Sequence, residues 1–528
     1  MDRAFVGRAQ EMEQLSNSLE YSMDGQPHLT MLAGEPGIGK TRLSQEISSY
    51  AESRGTRVLR GRCYEDLGTP PYWPSVQAVA SYVRDCDSER LRSEMGAGAS
   101  DIAEIVPDLW AKLPGLEPPV TLEPEQARIR LFDSIVAFLK TASRAQPIML
   151  VFDNLHWADT SSLLLLEFAS HEIVDAPIFT VGTFRDTEVS LDHPLSHLLG
   201  ELTKEANFQH MQLSGLTQDD VSIMIEVMSG TKLPRSLANQ IHRRTGGNPL
   251  FLTEVIRLLE PEITTEEGYE AGLVQTPEGP WSVKIPAGVG EAIATRLSRM
   301  SEECNRVLTV GSVIGRAFDL DFLKQLLSEM ILDHLLEALD EASSVRIIEE
   351  IPNVLGRYQF SHALIQESLR ERLSSSNRAR LHARIGQILE TRPEDQLGFR
   401  SAELAFHFTE AEPILGPGKM VEYSLMAGES ALATYAFGEA LIQFRSVLSA
   451  KTNLPEDSET AAALFGLARA QEATLPRQQL GAAFDSMSRA FDIYAAMGNG
   501  SGAVRVAEFA LVQAWERNDG VELIDRAL

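Results

Sequence analysis

The stretch His28–Thr41 reads HLTMLAGEPGIGKT, an apolar run followed by a GxxxxGKT loop, and a helical pattern then continues to Ala51. Glycines in such a loop let the backbone curl so that its N–H groups and the following helix N-terminus face a phosphate. Lys40 supplies positive charge and Thr41 a hydroxyl for Mg²⁺. The loop glycines are Gly34, Gly37 and Gly39. The stretch therefore predicts the strand, P-loop and helix of an α/β nucleotide-binding domain.

A second apolar run, Ile148–Phe152, ends in the carboxylate of Asp153. Its composition predicts a buried parallel strand, and Asp153 is the first residue after it that can face bound phosphates. Many exposed strand ends look alike, but the upstream P-loop gives this one weight. We expect ATP or ADP with Mg²⁺, with Thr41 and Asp153 as the magnesium site.

A third strand-like run, residues 178–184, ends in Arg185. A cation at this position can approach the γ-phosphate and act with Lys40 and Asp153 in hydrolysis. A surface arginine after a strand fits the same spacing, and both readings stay open on spacing alone.

Length, charge and composition limit the other classes of protein to which the chain could belong. The 528 residues predict three or four domains. With 47 basic and 75 acidic residues the net charge is −28, which makes nucleic acid a poor default partner. No apolar run approaches a membrane span. The three scattered cysteines and the absence of a signal-peptide pattern at Met1–Gly7 predict a cytoplasmic protein.

Three motifs together resemble the STAND class of AAA+-related signalling ATPases: Phe5-Val6-Gly7-Arg8, the GEPGIGKT loop and Leu155-His156-Trp157-Ala158-Asp159. The chain is especially similar to the ATPase module of large LuxR-type transcriptional regulators and of cyclase-linked multidomain proteins. The resemblance runs from about Phe5 to the C-terminus. Its specific motifs lie in the first two-thirds, and only a repeat pattern follows.

The resemblance implies residue roles. Val6-Gly7-Arg8 would lie against the adenine, and Lys40 with Thr41 would hold phosphates and magnesium. Asp153 would organise the metal, and Arg185 matches the first sensor position.

One departure from the family concerns Asn154, since many relatives carry a second acidic residue there. An amide cannot accept a proton from water, so we expect tight nucleotide binding with slow hydrolysis. Glu35 or Asp159 are alternative bases that the sequence leaves open.

A helical segment is predicted after the connector at residues 213–216, with Thr217 as helix N-cap and Asp220 near the positive helix end. Further on, residues 245–251 read TGGNPLF, which predicts a helix–helix turn with Pro249 in the first turn of the second helix. The resemblance adds that Pro249 packs near the nucleotide base.

From about Ile285 to Ser374, helical periodicity gives way to strand-like runs at residues 345–348 and 357–360, around a Pro352-Asn353 turn. Helices followed by a hairpin predict a winged helix. Acidic neighbours at Glu349 and Glu350 favour an intramolecular docking module over DNA binding.

Residues 361–364 read SHAL, and His362 falls at a predicted helix start. By chemistry alone such a histidine is more often a cap or a half-buried spectator. The resemblance implies instead that His362 contacts the β-phosphate of ADP.

The basic cluster at residues 370–384 has the spacing of one amphipathic helix with a solvated face.

From about Ala402 the chain is rich in Ala and Leu. Residues Ala440, Phe444 and Val447 have offsets like a tetratricopeptide (TPR) repeat, and a helical pair is predicted from Ala461 to Met497 with a break at residues 474–476. A plain helical bundle is the alternative.

The predicted fold class is a multidomain α/β and α protein. Its expected parts are a P-loop domain (1–210), a helical lid (211–284), a winged helix (285–375) and a TPR-like α-superhelix (376–528). Residues 521–528 end within a helical pattern, so we expect the repeat region to be incomplete and the effector to lie elsewhere.

The predicted function is an ATP-binding signalling switch with weak ATPase activity, linked to a downstream effector or transcriptional regulation. The expected partners are a protein or peptide on the repeats and a second copy in nucleotide-dependent self-association, with neither membrane nor nucleic acid. The alternatives are a non-hydrolysing nucleotide-binding scaffold and a DNA-binding transcription factor, and a P-loop kinase is less favoured.

Overall fold

Strands alternate with helices in the N-terminal part of the chain, and helices dominate the remainder. The computed structural model describes residues 5–65, 68–230, 234–263, 274–276, 279–282, 288–351, 354–391, 397–476 and 479–513. The strands are β1 (His28–Ala33), β2 (Arg57–Arg62), β3 (Ile148–Asp153), β4 (Ile178–Phe184), β5 (Phe208–Gln212), β6 (Val274–Thr276), β7 (Gly279–Ser282), β8 (Ala317–Asp319), β9 (Ile348–Glu350) and β10 (Arg357–Phe360).

The helices divide into two sets. The first set is α1 (Ala9–Met23), α2 (Lys40–Ser53), α3 (Trp73–Asp85), α4 (Ser88–Met95), α5 (Ala99–Ala103), α6 (Asp108–Lys112), α7 (Pro124–Ala145), α8 (Thr160–Glu172) and α9 (Pro194–Leu202). The second set is α10 (Gln218–Ser229), α11 (Arg235–Thr245), α12 (Pro249–Ile263), α13 (Val289–Leu297), α14 (Glu302–Ile314), α15 (Leu320–Leu326), α16 (Leu332–Ser344), α17 (Ala363–Glu371), α18 (Ser375–Glu390), α19 (Leu397–Leu415), α20 (Gly418–Ala433), α21 (Phe437–Ala450), α22 (Ser458–Glu472), α23 (Gly481–Ala496) and α24 (Gly500–Gln513).

The chain folds into two units that alternate along the sequence. Unit 1 comprises Met1–Val58, Ile178–Leu191 and Thr203–Leu381, and unit 2 comprises Leu59–Pro177, Asp192–Leu202 and His382–Leu528.

The sheet of unit 1 has the order β4-β1-β5, with β1 parallel to both neighbours. Leu29 of β1 lies opposite Thr180 of β4 and Phe208 of β5. Every residue of β4 is buried, as is β1 after its first residue. The apolar composition of both runs explains this burial, because a central parallel strand has both faces covered. The strand predictions at residues 28–33 and 178–184 are confirmed.

The rest of unit 1 is mainly helical. Helices α10–α12 share one apolar core that includes Val221, Ile241 and Val255. Thr217 caps α10, as its sequence predicted, and the structure adds a reciprocal capping box with Asp220. Strands β8, β9 and β10 form an antiparallel sheet in the order β8-β10-β9.

The predicted strand at residues 345–348 begins three residues too early. Helix α16 continues to Ser344, and Arg346 adopts a left-handed conformation with φ of 57° before β9 starts at Ile348. The Pro352-Asn353 turn, the start near Ile285 and the ending at residues 521–528 lie outside the described residues.

Unit 2 places β2 beside β3, and all six residues of β3 are buried. Helices α19 to α23 each pack against the next helix along the chain. Phe444 of α21 is fully buried against two glycines, because a Cβ added to Gly428 or Gly466 would lie 2.7 or 2.2 Å from its ring atoms. The break predicted between two helices near residues 474–476 is confirmed.

The spacing of the basic cluster at residues 370–384 predicted one helix, and this prediction is wrong. Helix α17 ends at Glu371 and α18 begins at Ser375, so the arginines divide between two helices.

The domain boundaries at residues 210, 284 and 375 stay predictions. Cys63, Cys86 and Cys304 are buried free thiols. None of the helices that the structure describes is long and apolar enough to cross a membrane.

Candidate nucleotide-binding site

The loop between β1 and α2 has the backbone of a phosphate cradle. Its glycines all have positive φ, at 147°, 79° and 106° for Gly34, Gly37 and Gly39. Lys40 is buried, and its Nζ donates to the carbonyl oxygens of Gly34 and, at 2.9 Å, Glu35. Among the described residues, no side chain caps the N-terminus of α2. The first-turn N–H groups and the lysine therefore suit an anion.

Arg8 ties the N-terminal segment to this loop. Its Nη2 donates to the carbonyl oxygen of Ile38 at 3.1 Å and to that of Ser214, while its Nη1 pairs with Glu11 at 2.8 Å. Gly7 has a φ of 72°, and a Cβ there would lie 2.9 Å from a methyl group of Leu216. The structure thus brings Val6-Gly7-Arg8 together with the P-loop and the connector that precedes α10.

The turn before α12 holds the other side of the P-loop. Nδ2 of Asn248 donates to the carbonyl oxygen of Pro36 at 2.9 Å, and the backbone N–H of Leu250 donates to that of Gly37 at 3.3 Å. Pro249 is the first residue of α12, as predicted, and its Cγ lies 3.9 Å from the Cβ position of Gly39. The predicted residue Pro249 therefore lies at the P-loop. Asn248 makes the stronger connection, and sequence reasoning missed its role.

Arg185 follows β4 directly and is buried. Its guanidinium pairs with Glu188 and, at 3.0 Å, with Glu367 of α17. Burial alone would lower the pKa of Arg185, but the two carboxylates more than offset this and raise it. Arg185 is thus a fixed cation whose partner comes from a segment 182 residues further along the chain.

His362 lies where several cations converge. Burial, and then the charges of Arg316, Arg185 and Lys40, together lower the pKa of this side chain to about 3. Its Nδ1 accepts the backbone N–H of Leu364 at 3.2 Å, so His362 caps α17. The neutral ring then carries its proton on Nε2, which is left to donate to an acceptor such as phosphate.

Asp153 lies in unit 2 at the end of β3, where it is buried. Its Oδ2 accepts from Nη2 and Nε of Arg62 at 2.8 and 3.3 Å. Its backbone oxygen accepts the N–H of Cys63 at 2.9 Å, which fixes the strand end beside β2. Asp153 is held as a charged carboxylate by a cation that the sequence analysis did not identify.

The candidate bases differ in their surroundings. Asn154 adopts a left-handed conformation with φ of 63° and is half-buried, while Glu35 is exposed. Asp159 is the N-cap of α8, where Oδ1 accepts the backbone N–H of Ser162 at 2.8 Å and that of Tyr72 at 3.3 Å. These bonds make Asp159 a structural cap rather than a free proton acceptor.

The donor set of unit 1 fits the phosphates of a nucleotide. Backbone N–H groups at the start of α2, the Lys40 ammonium and the Nε2 of His362 suit phosphate oxygens. The hydroxyl of Thr41 in unit 1 is an oxygen ligand of the kind that Mg²⁺ prefers, and within unit 2 the carboxylate of Asp153 is another.

Four residues that sequence reasoning missed belong to these contacts: Arg62, Asn248, Arg316 and Glu367. Asn248 had a local signal, because Asn before Pro at a helix start is an N-cap pattern. The other three are charged residues without any sequence pattern of their own.

The glycine-rich loop between a buried parallel strand and a helix is the arrangement of a P-loop nucleotide-binding domain. Residues 4–181 match the family described as AAA ATPase domain. The chain therefore carries an AAA ATPase domain, and the AAA+ resemblance predicted from its motifs is confirmed.

Comparison with other proteins gives distant matches. An uncharacterised protein of Rhizobium meliloti (strain 1021) is 22% identical over 403 residues, a match that covers 73% of this chain and 37% of the relative. Among solved structures, the chain is similar to the Signal Transduction ATPase with Numerous Domains (STAND) protein with a tetratricopeptide repeat sensor from Pyrococcus horikoshii. That match has 12% identity and a TM-score of 0.45, and covers 99% of this chain and 76% of that one. Cdc6p from Pyrobaculum aerophilum is 13% identical with a TM-score of 0.32, over 70% and 97% of the two chains.

Proposed function

We propose that the chain is an ATP/ADP-controlled signalling switch of the STAND type. The observation that carries this proposal is the convergence of Lys40, Arg185 and Arg316 on His362 within unit 1. The P-loop lysine, the end of β4 and the segment that begins at Arg316 thus form a cluster of positive charge around His362. Such a cluster suits the phosphates of a bound nucleotide. ADP and ATP differ there in charge, so they can stabilise different arrangements.

Arg185 provides the discrimination between the two nucleotides. In the arrangement described here it is paired with Glu367, whose helix α17 starts at His362. A γ-phosphate would compete with Glu367 for Arg185, whereas ADP leaves the ion pair intact and lets Nε2 of His362 donate to the β-phosphate. ATP therefore favours release of α17, and ADP favours its retention.

The proposal keeps the domain assignment made from the sequence. The antiparallel sheet β8-β10-β9 beside α13–α17 supports a winged helix at residues 285–375. Successive packed helices, with Phe444 seated against two glycines, support a TPR-like region at residues 376–528. Residues 1–210 form the P-loop domain and residues 211–284 the lid. A protein or peptide on the repeats, and self-association in the ATP state, complete the proposed switch.

Hydrolysis in this scheme is slow. Asn154 cannot act as a base, Asp159 caps a helix, and Arg62 neutralises Asp153. The same observations favour a second candidate, a nucleotide-binding scaffold that does not hydrolyse ATP. Steady-state phosphate release with Lys40→Ala as the inactive control separates the two, and a slow rate that Asn154→Asp raises supports the weak ATPase.

Limited proteolysis of the full chain in ADP and in ATP tests the switch. We expect the segment around α17 to be cut faster in ATP. The variant Glu367→Gln should show the ATP pattern at lower ATP concentration, because its neutral amide competes weakly for Arg185. Glu371→Gln is the matched control, since Glu371 is exposed on the same helix. Identical cleavage patterns in the two nucleotides for the wild-type protein would refute the proposal.

A further inference from the structure

The start of helix α21 is attached to the start of helix α8 within unit 2. Oε2 of Glu439 accepts the hydroxyl of Ser161 at 2.6 Å, and Oε1 accepts its backbone N–H at 3.3 Å. A Cβ added to Gly438 would lie 3.4 Å from Cβ of Thr160, so the two helix starts approach closely. Glu439 is in the first turn of its own helix, which places one carboxylate between two positive helix ends.

Neighbouring contacts extend this junction. The hydroxyl of Tyr72 donates to the carbonyl oxygen of Tyr435 at 3.4 Å, and the hydroxyl of Tyr435 donates to Glu104 at 3.5 Å. The guanidinium of Arg128 lies 5.5 Å from the ring centre of Phe437. The residues before α21 and its first turn are therefore attached to the N-cap residue of α3, to α7 and to the residue following α5.

The junction holds two carboxylates in a small space. Glu439 and Asp159 lie at the same end of α8, and burial followed by the charge of Asp159 raises the pKa of Glu439 to about 7. Burial also raises the pKa of Asp159. Among the described residues, the other titratable or charged groups facing the junction are Tyr72, Tyr435, Glu104, Arg128 and, beside Asp159, the thiol of Cys63. Oε1 of Glu439 and Oδ1 of Asp159 accept the backbone N–H groups of the consecutive residues Ser161 and Ser162, so the two carboxylates are neighbours. A proton on Glu439 therefore relieves the repulsion between them.

We propose that Glu439 is a proton-controlled latch that holds α21 against the N-terminus of α8, and that loss of its proton, beside the carboxylate of Asp159, opens it. The proton leaves to solvent and two carboxylates remain, which separate because water solvates both charges better than the junction does. The latch concerns unit 2 alone and acts whether or not unit 1 responds to nucleotide.

The pH dependence has a definite sign. The pKa of Glu439 is higher in the closed junction than its ordinary value of 4.5, so the closed form binds the proton more tightly than the open form. Closure is therefore unimpaired at low pH and weakens as the pH rises from about 4.5 to about 7. Over that interval each pH unit weakens closure by up to about tenfold.

Hydrogen exchange of the full-length protein, corrected for the intrinsic pH dependence of exchange, tests the latch. Peptides covering α8 and α21 should lose protection by at least about tenfold between about pH 5 and about pH 8. Glu439→Gln keeps the shape and removes the charge, so its protection should not change with pH. Ser161→Ala removes the hydroxyl donor and should reduce protection of both helices at every pH.

Glu422→Gln is the control, because Glu422 pairs on the surface with Lys419 in the adjoining helix α20. It should follow the wild-type pH profile. An infrared band of a protonated carboxylic acid, present in the wild type near pH 6 and absent in Glu439→Gln, would support protonation of Glu439. A pH profile of Glu439→Gln identical to that of the wild type, or a wild type without that band, would overturn the proposal.

Discussion

Replacing Asn248 by Asp changes one side-chain atom at the junction between the P-loop and helix α12: the Nδ2 donor becomes a carboxylate oxygen. In the wild type, Nδ2 donates to the carbonyl oxygen of Pro36 at 2.9 Å, while Oδ1 accepts the N–H groups of Leu250 and Phe251 at 3.1 and 3.4 Å. Asp keeps the acceptor that caps α12, and its charge suits a helix N-terminus. It loses the donor to Pro36 and sets a carboxylate oxygen against a carbonyl oxygen.

The magnitude follows from these two changes. The lost hydrogen bond is worth about 1 kcal/mol, and a carbonyl group facing an acceptor costs about 1–2 kcal/mol more. The sum of about 2–3 kcal/mol weakens the contact that holds the P-loop against α12. Apparent ADP affinity should fall by up to about 30- to 150-fold, because only the protein with an ordered loop binds tightly.

Fluorescence anisotropy with a fluorescent ADP analogue measures this affinity. Asn248→Ala loses both the cap and the donor, so it should bind ADP weakly and also unfold more easily than Asn248→Asp. Asn499→Asp is the matched control, since Asn499 caps α24 in unit 2 through the N–H of Gly502. ADP binding by Asn248→Asp as tight as that of the wild type would show that the bond to Pro36 does not order the loop.

Three further changes are predicted. His362→Ala should speed ADP release by about tenfold or more in stopped-flow experiments, because it removes the Nε2–H donor. Because the pKa of His362 is about 3, its ring stays neutral. The rate of ADP release from the wild type should therefore show no histidine titration between about pH 5 and about pH 8. Arg62→Met should lower the free energy of unfolding by about 2–3 kcal/mol in denaturant titrations, because buried Asp153 loses its cation. Gly466→Ala should cost about 1–3 kcal/mol in the same assay, since its Cβ would lie 2.2 Å from the ring of Phe444.

Each of these changes has a control. His334→Ala removes an exposed histidine of unit 1 and should leave ADP release unchanged. Arg60→Met alters an exposed residue of strand β2 and should cost much less stability than Arg62→Met. Gly481→Ala adds a Cβ with no atom within 4 Å and should not destabilise the protein. A variant that behaves like its control would show that the corresponding contact does not have the predicted effect.

Sequence patterns predicted the elements that depend on a few neighbouring residues. The bounds of β1 and β3 agree with the apolar runs that predicted them, and Thr217 and Pro249 stand at the helix starts expected of them. Strand burial, capping and glycine turns are local consequences of residue type, so they can be read along the chain. The errors were also local: Arg346 delays β9, and the basic cluster divides between α17 and α18 because the chain turns at residues 372–374.

The sequence by itself thus determined the P-loop and the two strand-end residues Asp153 and Arg185, and residues 4–181 match the AAA ATPase domain family. Only the tertiary structure decided which partners these residues have. Glu367 reaches Arg185 across 182 residues, and Glu439 reaches Ser161 across 278. A charged residue far along the chain carries no pattern that names its partner, because such a pair forms only once the fold has closed the loop between them.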